Sequence, residues 1–371
     1  MECTVGGTRR HLVDVVRGQL ARGHEVALAV SCERDAEFRR ELEALAGEGV
    51  VVFEIPMLRS ISPWLDFRHL AELRRRLRDY APQIVHTHSS KAGVLGRLAS
   101  LLEDCGARVH TPHTFAFLFS AEFSAHKRAA FRRIERYLAS RTARVVAVSE
   151  GEAETFAASG VVDMGRVRVV RNGIDPGPWL RALPKDRASL GIPVDVPLVL
   201  VAGLLHVAKG QDLALEALTF PGLERAHLLV LGDGPLRLAL NAQVQRSGLA
   251  SRVHFGGWSD EVPGWMAASD VVLVPSRWEA MPYVVLEAMA AARPLVATPV
   301  DGAREMIVDG VHGALCKIGD AGSIAAGMLR VLQLDARQRT EMGLRGRERL
   351  LQMGTADRMV DELLALYGEL Q

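Results

Sequence analysis

The sequence predicts an α/β chain of two domains, each built on a parallel sheet with crossover helices. Three observations predict it. Short β-branched runs alternate with longer amphipathic stretches, which is how strands joined by helical crossovers read in sequence. The alternation runs through both halves, and the turn-rich segment Asn172-Gly173-Ile174-Asp175-Pro176-Gly177-Pro178, followed by Pro184, Pro193 and Pro197, separates them as a hinge candidate. At 371 residues the chain is long enough for two domains of ordinary size, each with its own core.

In the first half, strands are expected near His24–Ser31, Val50–Ile55, Gln83–His86, Arg108–Thr111, Val145–Val148 and Val167–Val170. In the second they fall near Leu198–Ala202, His227–Leu231, Val253–Phe255, Val271–Val274, Leu295–Thr298 and Ala314–Cys316. A last amphipathic helix, about Ala356 to Leu370, lies beyond the second sheet's helices and is placed to pack back on the first domain. Low-complexity segments and short-period repeats are absent.

Composition narrows the function classes. A formal net charge of +1 offers no global attraction for nucleic acid. Cys3, Cys32, Cys105 and Cys316 form no CxxC pair, which argues against both a zinc site and a disulfide framework and for a reducing, cytoplasmic compartment. No apolar stretch reaches the roughly 18 to 20 residues that span a bilayer, and the first residues do not form a signal peptide. Any membrane contact is therefore expected to be peripheral.

The most informative stretch runs from Pro275 to Met289. The apolar run Asp270–Pro275 reads as a buried parallel strand, and Pro282 suits the first helical position, where its missing N–H costs nothing. Glu279 then sits in the loop before the helix and Glu287 about a turn and a half beyond it. The free amides of Ala280, Met281 and the first turn, with the helix dipole behind them, suit a phosphate or a sugar hydroxyl. Glu287 can accept hydrogen bonds from a ribose diol. Lys209, after a strand and beside Gly210, is placed to meet a diphosphate; only five lysines occur in the chain, so one at such a turn stands out.

These segments, in this order, resemble the retaining glycosyltransferases of family 4. The resemblance rests on Gly6-Gly7-Thr8-Arg9-Arg10-His11, Arg22-Gly23-His24-Glu25-Val26, Val85-His86-Thr87-His88-Ser89-Ser90-Lys91, Asn172-Gly173-Ile174-Asp175, Lys209-Gly210, Gly232-Asp233-Gly234-Pro235 and the Glu279/Glu287 pair. Thr111-Pro112-His113-Thr114-Phe115 is similar to bacterial members that build polysaccharides or lipid-linked glycans. The resemblance implies the GT-B architecture: two Rossmann-like doubly wound parallel-sheet domains facing a cleft. The acceptor-side domain is expected over 1–178, with 355–371 packing back on it, and the nucleotide-sugar-binding domain over 179–354. It implies a nucleotide-sugar donor, a UDP-sugar by family habit, and a glycan or lipid-linked acceptor. Retention is expected by a front-face route in which the leaving phosphate oxygen takes the acceptor hydroxyl's proton. No cofactor or metal is required by the residues seen.

By the same resemblance Glu279 and His113 are the catalytic candidates. Gly7, Lys209, Ala280 and Met281 meet the donor's diphosphate and sugar, Glu287 the ribose, and His88 and Lys91 the acceptor side. Two departures stand out. The family's arginine five residues before the lysine is Leu204 here, and leucine cannot replace a bidentate phosphate fork. Either another arginine reaches in, or Lys209 and helix amides suffice, or the enzyme is weak or idle. The family's first strand should also precede Gly6, yet only Met1 to Val5 stand there, so the first domain is expected to lack its N-terminal strand through a late start or truncation.

His113 is expected at the carboxyl end of a strand, where doubly wound sheets collect ligands. His86 and His88 are expected to alternate across a strand end, so that at most one faces the cleft, and without a carboxylate cluster beside them no metal is expected. Phe115–Phe119 followed by the basic helix around His126–Tyr137 has the composition of a peripheral contact with an anionic membrane, at the inner face of the cytoplasmic membrane, or else of a core-facing stripe with a solvated basic face. Two other classes remain open: a nucleotide-sugar epimerase, which needs further acid/base residues, and a catalytically idle sugar-nucleotide binding protein. A nicotinamide dehydrogenase fits poorly, because Gly6-Gly7 lacks the GxGxxG spacing.

Overall fold

The computed structural model describes residues 6–33, 36–58, 60–118 and 123–371. The chain packs as two units: Met1–Asn172 with Ala356–Gln371, and Gly173–Thr355. The strands of the N-terminal unit are β1 (Ala27–Val30), β2 (Val51–Glu54), β3 (Ile84–His88), β4 (Ala107–Thr111), β5 (Arg144–Ala147) and β6 (Val167–Val169). Those of the C-terminal unit are β7 (Leu198–Ala202), β8 (His227–Leu231), β9 (Val253–Gly257), β10 (Val271–Val274), β11 (Leu295–Ala297) and β12 (Gly313–Leu315). Every expected strand is present, and every pairing between them is parallel.

The C-terminal sheet has the order β12-β11-β10-β7-β8-β9. Its central strands are apolar along their whole length because helices cover both faces. One face buries Val199, Val201, Leu228, Val230, Val271 and Leu273 against Leu213, Ala214, Ile324 and Met328. The chain moves outward from β7 through β8 to β9, then returns to lay β10 on the other side of β7. The reversal places a switch point between the carboxyl ends of β7 and β10, where the crossover helices leave to opposite faces and a crevice opens.

In the N-terminal unit, β3-β4-β5-β6 form one sheet and β1-β2 another. Among the described residues β1 does not pair with β3; the segment before Gly6, on which the expectation about the first strand falls, lies outside the described residues. The last helix, Ala356–Gly368, buries Met359, Leu363, Leu366 and Tyr367 with Val15, Val109, Val146 and Val170. It also packs on the helix Gly7–Ala21, where a side chain at Gly18 would collide with Val360.

The structure corrects two local expectations and decides, for Phe115 and Phe117, one that stood open between core and surface. Pro282 is not the first helical residue but the N-cap, with extended backbone (ψ 116°), and the helix is Tyr283–Ala290. The apolar loop after β4 is not a surface feature: Phe115 and Phe117 are buried against Ala139, Val145 and Phe156, while Phe119 lies outside the described residues. Phenylalanine burial at this scale is worth a few kcal/mol, so a polar rim alone would not hold these rings in water. The helix Ala125–Ala139 nevertheless exposes Lys127, Arg132, Arg133, Arg136 and Tyr137, and its inward Glu135 pairs with the buried Arg97 at 2.8 Å. The second correction concerns the histidines of β3 and is described below. Among the described residues no helix is long and apolar enough to cross a membrane.

Candidate functional site

The switch point of the C-terminal unit is built from two loops, and a glycine decides how closely they meet. After β7 the chain passes Gly203 and Leu204 into a single 3-10 turn, Val207–Lys209, capped by His206 Nδ1 accepting from the Ala208 amide at 3.2 Å. Gly210 follows with φ 69°, and a Cβ there would sit 2.1 Å from the carbonyl oxygen of Pro275, at the end of β10. Only glycine lets the two backbones approach so closely.

That approach brings Lys209 to Glu279. Lys209 Nζ donates to Glu279 Oε2 at 2.5 Å, and Ser276 Oγ donates to Oε1 at 2.5 Å. Ser276 is fixed in turn by Thr298, whose hydroxyl donates to the Ser276 carbonyl at 2.5 Å. Both carboxylate oxygens are thus occupied by donors a ligand could displace or share. The neighbouring Ala280 carbonyl accepts from the Gly302 amide at 2.8 Å, and Met281 is buried beside it, where a side chain on Gly302 would strike the methionine sulfur. Glu287 is half-buried on the helix that follows.

Leu204 is 41% exposed, and its carbonyl accepts from Gln211 Nε2 at 2.9 Å. The arginine nearest this turn is one that sequence reasoning passed over. Arg277 donates its backbone N–H to the Ala208 carbonyl at 2.7 Å, its Nη1 to the Val207 carbonyl at 3.0 Å, and a two-pronged pair of bonds to Asp212 at 2.8 and 2.6 Å. It laces the Lys209 turn to the Glu279 loop, but its fork is already engaged by Asp212. Its signal was its place two residues before Glu279.

In the N-terminal unit the helix Gly7–Ala21 starts at Gly6, whose φ of 91° only glycine adopts easily, with no side-chain cap and no acid in its first turn. From this helix His11 enters a cluster of imidazoles. Its ring centroid lies 5.3 Å from that of His88, at the end of β3, and 4.8 Å from that of His113, beyond β4. His88 Nδ1 and His113 Nε2 are 3.2 Å apart, and His11 Nδ1 is 2.9 Å from Asn172 Oδ1. His86 and His88 do not alternate. Their rings lie 4.3 Å apart on one face, because residues two apart on a strand share a face; Thr87 points the other way, to His110 Nδ1 at 2.9 Å. β3 also runs two residues further than expected, which makes His88 part of the strand.

The site is electrostatically quiet. Burial pushes the His11 imidazolium down to about 4 despite its bond to Asn172. Burial, reinforced by His11, takes His86 to about 3. Burial and the neighbouring histidines hold His88 and His113 well below the usual histidine range. At neutral pH these rings are uncharged, each with one N–H and one lone pair.

His113 is held in an unusual backbone conformation. It has φ 50° and Thr114 φ 83°, and the carboxylate of the buried Glu152 spans the turn, accepting from the Thr114 amide at 2.7 Å and the Val148 amide at 2.8 Å. Left-handed backbone at such residues costs energy that the surroundings must supply, and it clusters where a side chain has to be aimed. Neither Glu152 nor His11 was singled out from sequence. Lys91 is engaged elsewhere: its Nζ meets Asp66 Oδ1 at 2.5 Å and donates to the Ser60 carbonyl at 2.6 Å.

Comparison with known proteins agrees with this geometry. One family model, described as Glycosyltransferase Family 4, matches residues 5–177, and another, Glycosyl transferases group 1, matches residues 196–334. The UDP-Gal:alpha-D-GlcNAc-diphosphoundecaprenol alpha-1,3-galactosyltransferase of Escherichia coli is 29% identical over 76% of this chain and 75% of that protein. The lipopolysaccharide core biosynthesis glycosyltransferase LpsE of Rhizobium meliloti is 33% identical over 57% of this chain and 61% of its own length, so over a third of that relative is unmatched. Among solved structures, Anabaena HepE in complex with UDP and glucose superposes with a TM-score of 0.82 at 22% identity, over 99% of this chain and 97% of that one. WaaG, a glycosyltransferase involved in lipopolysaccharide biosynthesis, does so at 0.74 and 18% identity, over 99% and 97%. The fold is that of these GT-B enzymes: two α/β domains on parallel sheets.

Proposed function

The chain belongs to glycosyltransferase family 4, and from that premise we propose that it moves a sugar from a UDP-sugar to a glycan or lipid-linked acceptor with retention of anomeric configuration. The observation that carries the proposal is the Lys209–Glu279 contact at the β7/β10 switch point, a cation and a carboxylate side by side where a doubly wound sheet receives its ligand. Cleaving a sugar–diphosphate bond places negative charge on the departing phosphate and positive charge on the anomeric carbon. In this reading Lys209 and the amides of Ala280 and Met281 take the phosphate charge without a metal. Glu279, released from Lys209 as the ammonium turns to the phosphate, accepts from hydroxyls of the transferred sugar and lies near its reacting face. Glu287 takes the ribose.

His113, uncharged and fixed by the Glu152-bound turn, contacts the sugar as a hydrogen-bond partner rather than as a cation. Gly7, in the uncapped first turn of its helix, meets phosphate or acceptor. His88 serves the acceptor side, and Lys91 acts there through its hold on Asp66. The unit Met1–Asn172 with Ala356–Gln371, six residues shorter at the hinge than the 1–178 expected from sequence, serves as the acceptor-side domain and Gly173–Thr355 as the donor domain. The exposed basic face of the helix Ala125–Ala139 supports a peripheral contact with anionic lipid at the inner face of the cytoplasmic membrane, where a lipid-linked acceptor is presented.

The experiment is transfer from a panel of UDP- and GDP-sugars to short-chain lipid diphosphate sugars, with the product's anomeric configuration read by NMR. Transfer with the donor's configuration preserved supports the proposal. An inverted product sinks the retaining mechanism, and interconversion of the free nucleotide sugar without acceptor would move the epimerase ahead.

A further inference from the structure

We propose that His11, His88 and His113 form a binding site for one divalent transition-metal ion, with zinc the best chemical match. One ring nitrogen from each lies within 4.8 Å of the other two. Ligand nitrogens on tetrahedral zinc stand about 3.3 Å apart, given Zn–N bonds of about 2.0–2.1 Å. The His88–His113 pair, hydrogen-bonded to each other without a metal, is already at 3.2 Å, and the third nitrogen closes on them from within 4.8 Å.

Two further observations point to a ligand rather than to a packed core. His11 is 1% exposed, and its Nε2 is buried with no hydrogen-bond partner among the described residues. A buried polar atom left without a partner costs about 1–3 kcal/mol, so such an atom calls for an explanation. Its other nitrogen supplies one: Nδ1 lies 2.9 Å from the side-chain oxygen Oδ1 of Asn172, which places the N–H on Nδ1 and leaves the lone pair on Nε2, with the His88 and His113 ring centroids 5.3 and 4.8 Å from that of His11. A histidine that donates one ring nitrogen to an oxygen acceptor and offers the other is the usual arrangement of a metal ligand and its orienting partner.

Three imidazoles leave a fourth position open for water or an anionic ligand, and this all-nitrogen set suits zinc over magnesium or calcium, which prefer oxygen. The nearest histidine, His86, is not part of the set, because its nitrogens are committed to the Tyr367 and Thr111 hydroxyls. In the transferase reading, a metal here takes the His113 nitrogen away from the sugar and so reversibly lowers turnover. The site itself does not depend on that reading.

The test uses the full chain stripped with a chelator, titrated with Co2+ and then with Zn2+ against a chromophoric competitor. One equivalent of Co2+ giving the visible absorption of four-coordinate cobalt, displaced by Zn2+, is expected for the parent and for His126→Gln, whose imidazole is on the surface. His113→Gln, at the half-buried member of the set, should lose the signal. Asn172→Ala should weaken Zn2+ about 10- to 100-fold with the ligands intact. A parent that binds neither ion stoichiometrically, or a folded His113→Gln that binds as tightly as the parent, overturns the site whether or not sugar transfer is observed.

Discussion

Lowering the pH from 7 to 5 should destabilise the N-terminal unit far more than the C-terminal one. The perturbation is protonation of histidines that the fold holds neutral. A histidine whose folded value lies below its unfolded one contributes stability above about pH 6.5 and loses it as pH falls toward the folded value, because only the unfolded state takes up the proton. With folded values of about 4 for His11 and about 3 for His86, against 6.5 unfolded, each costs about 2 kcal/mol by pH 5. The two together remove about 4 kcal/mol, and His88, His110 and His113, also held down chiefly by burial, act in the same direction. Against a typical domain stability of about 5–15 kcal/mol that loss is decisive. His227, His254 and His312 of the C-terminal unit are displaced downward too, so the prediction concerns the difference between units. Amide hydrogen exchange at pH 7 and pH 5 reads it: protection of β3 and β4 should fall while β7 and β8 change little. Equal loss in both sheets, or none in β3 and β4, would refute the claim that these imidazoles are buried uncharged.

Glu135→Ala should lower the stability of the N-terminal unit by about 3–5 kcal/mol in a denaturant melt, since it strands the guanidinium of Arg97, which is 1% exposed and bonded to both Glu135 oxygens. Glu152→Ala should lower kcat more than it raises KM, because the turn that aims His113 loses the acceptor for the Thr114 amide; an unchanged kcat would leave Glu152 a purely structural residue. Gly210→Ala should abolish donor binding while the C-terminal unit stays folded, since the added Cβ pushes the Lys209 turn off Pro275; tight donor binding in that variant contradicts the close approach of the two loops.

Most of the fold was legible because parallel strands covered on both faces carry unbroken β-branched runs that turn residues end cleanly, as in Leu198–Ala202 and Val271–Val274. Lys209 and Glu279 could each be found from their place after a strand, but not their contact, which depends on a backbone approach that Gly210 alone permits. Pro282 was set one position too deep, because a proline is equally at home just before a helix and in its first turn. His11 was missed because it sits on a helix and reaches β3 and β4 only through tertiary packing, and the error over His86 and His88 came from treating neighbours two apart on a strand as opposed. Glu152 carried no local signal, since its task is defined by amides that come together only in the folded chain. Phe115 and Phe117 could have been core or surface from composition, and packing against Phe156 decided for core.

The most direct test of the account is calorimetric titration of uridine, UDP, GDP and their common sugar conjugates into the parent chain, Lys209→Met and Glu287→Ala. The account predicts that the uridine series binds the parent, that Glu287→Ala weakens UDP and UDP-sugar alike through the ribose, and that Lys209→Met weakens diphosphates but not uridine. Absence of binding by any nucleotide to the parent, or binding that neither substitution changes, would contradict a donor site at the β7/β10 switch point.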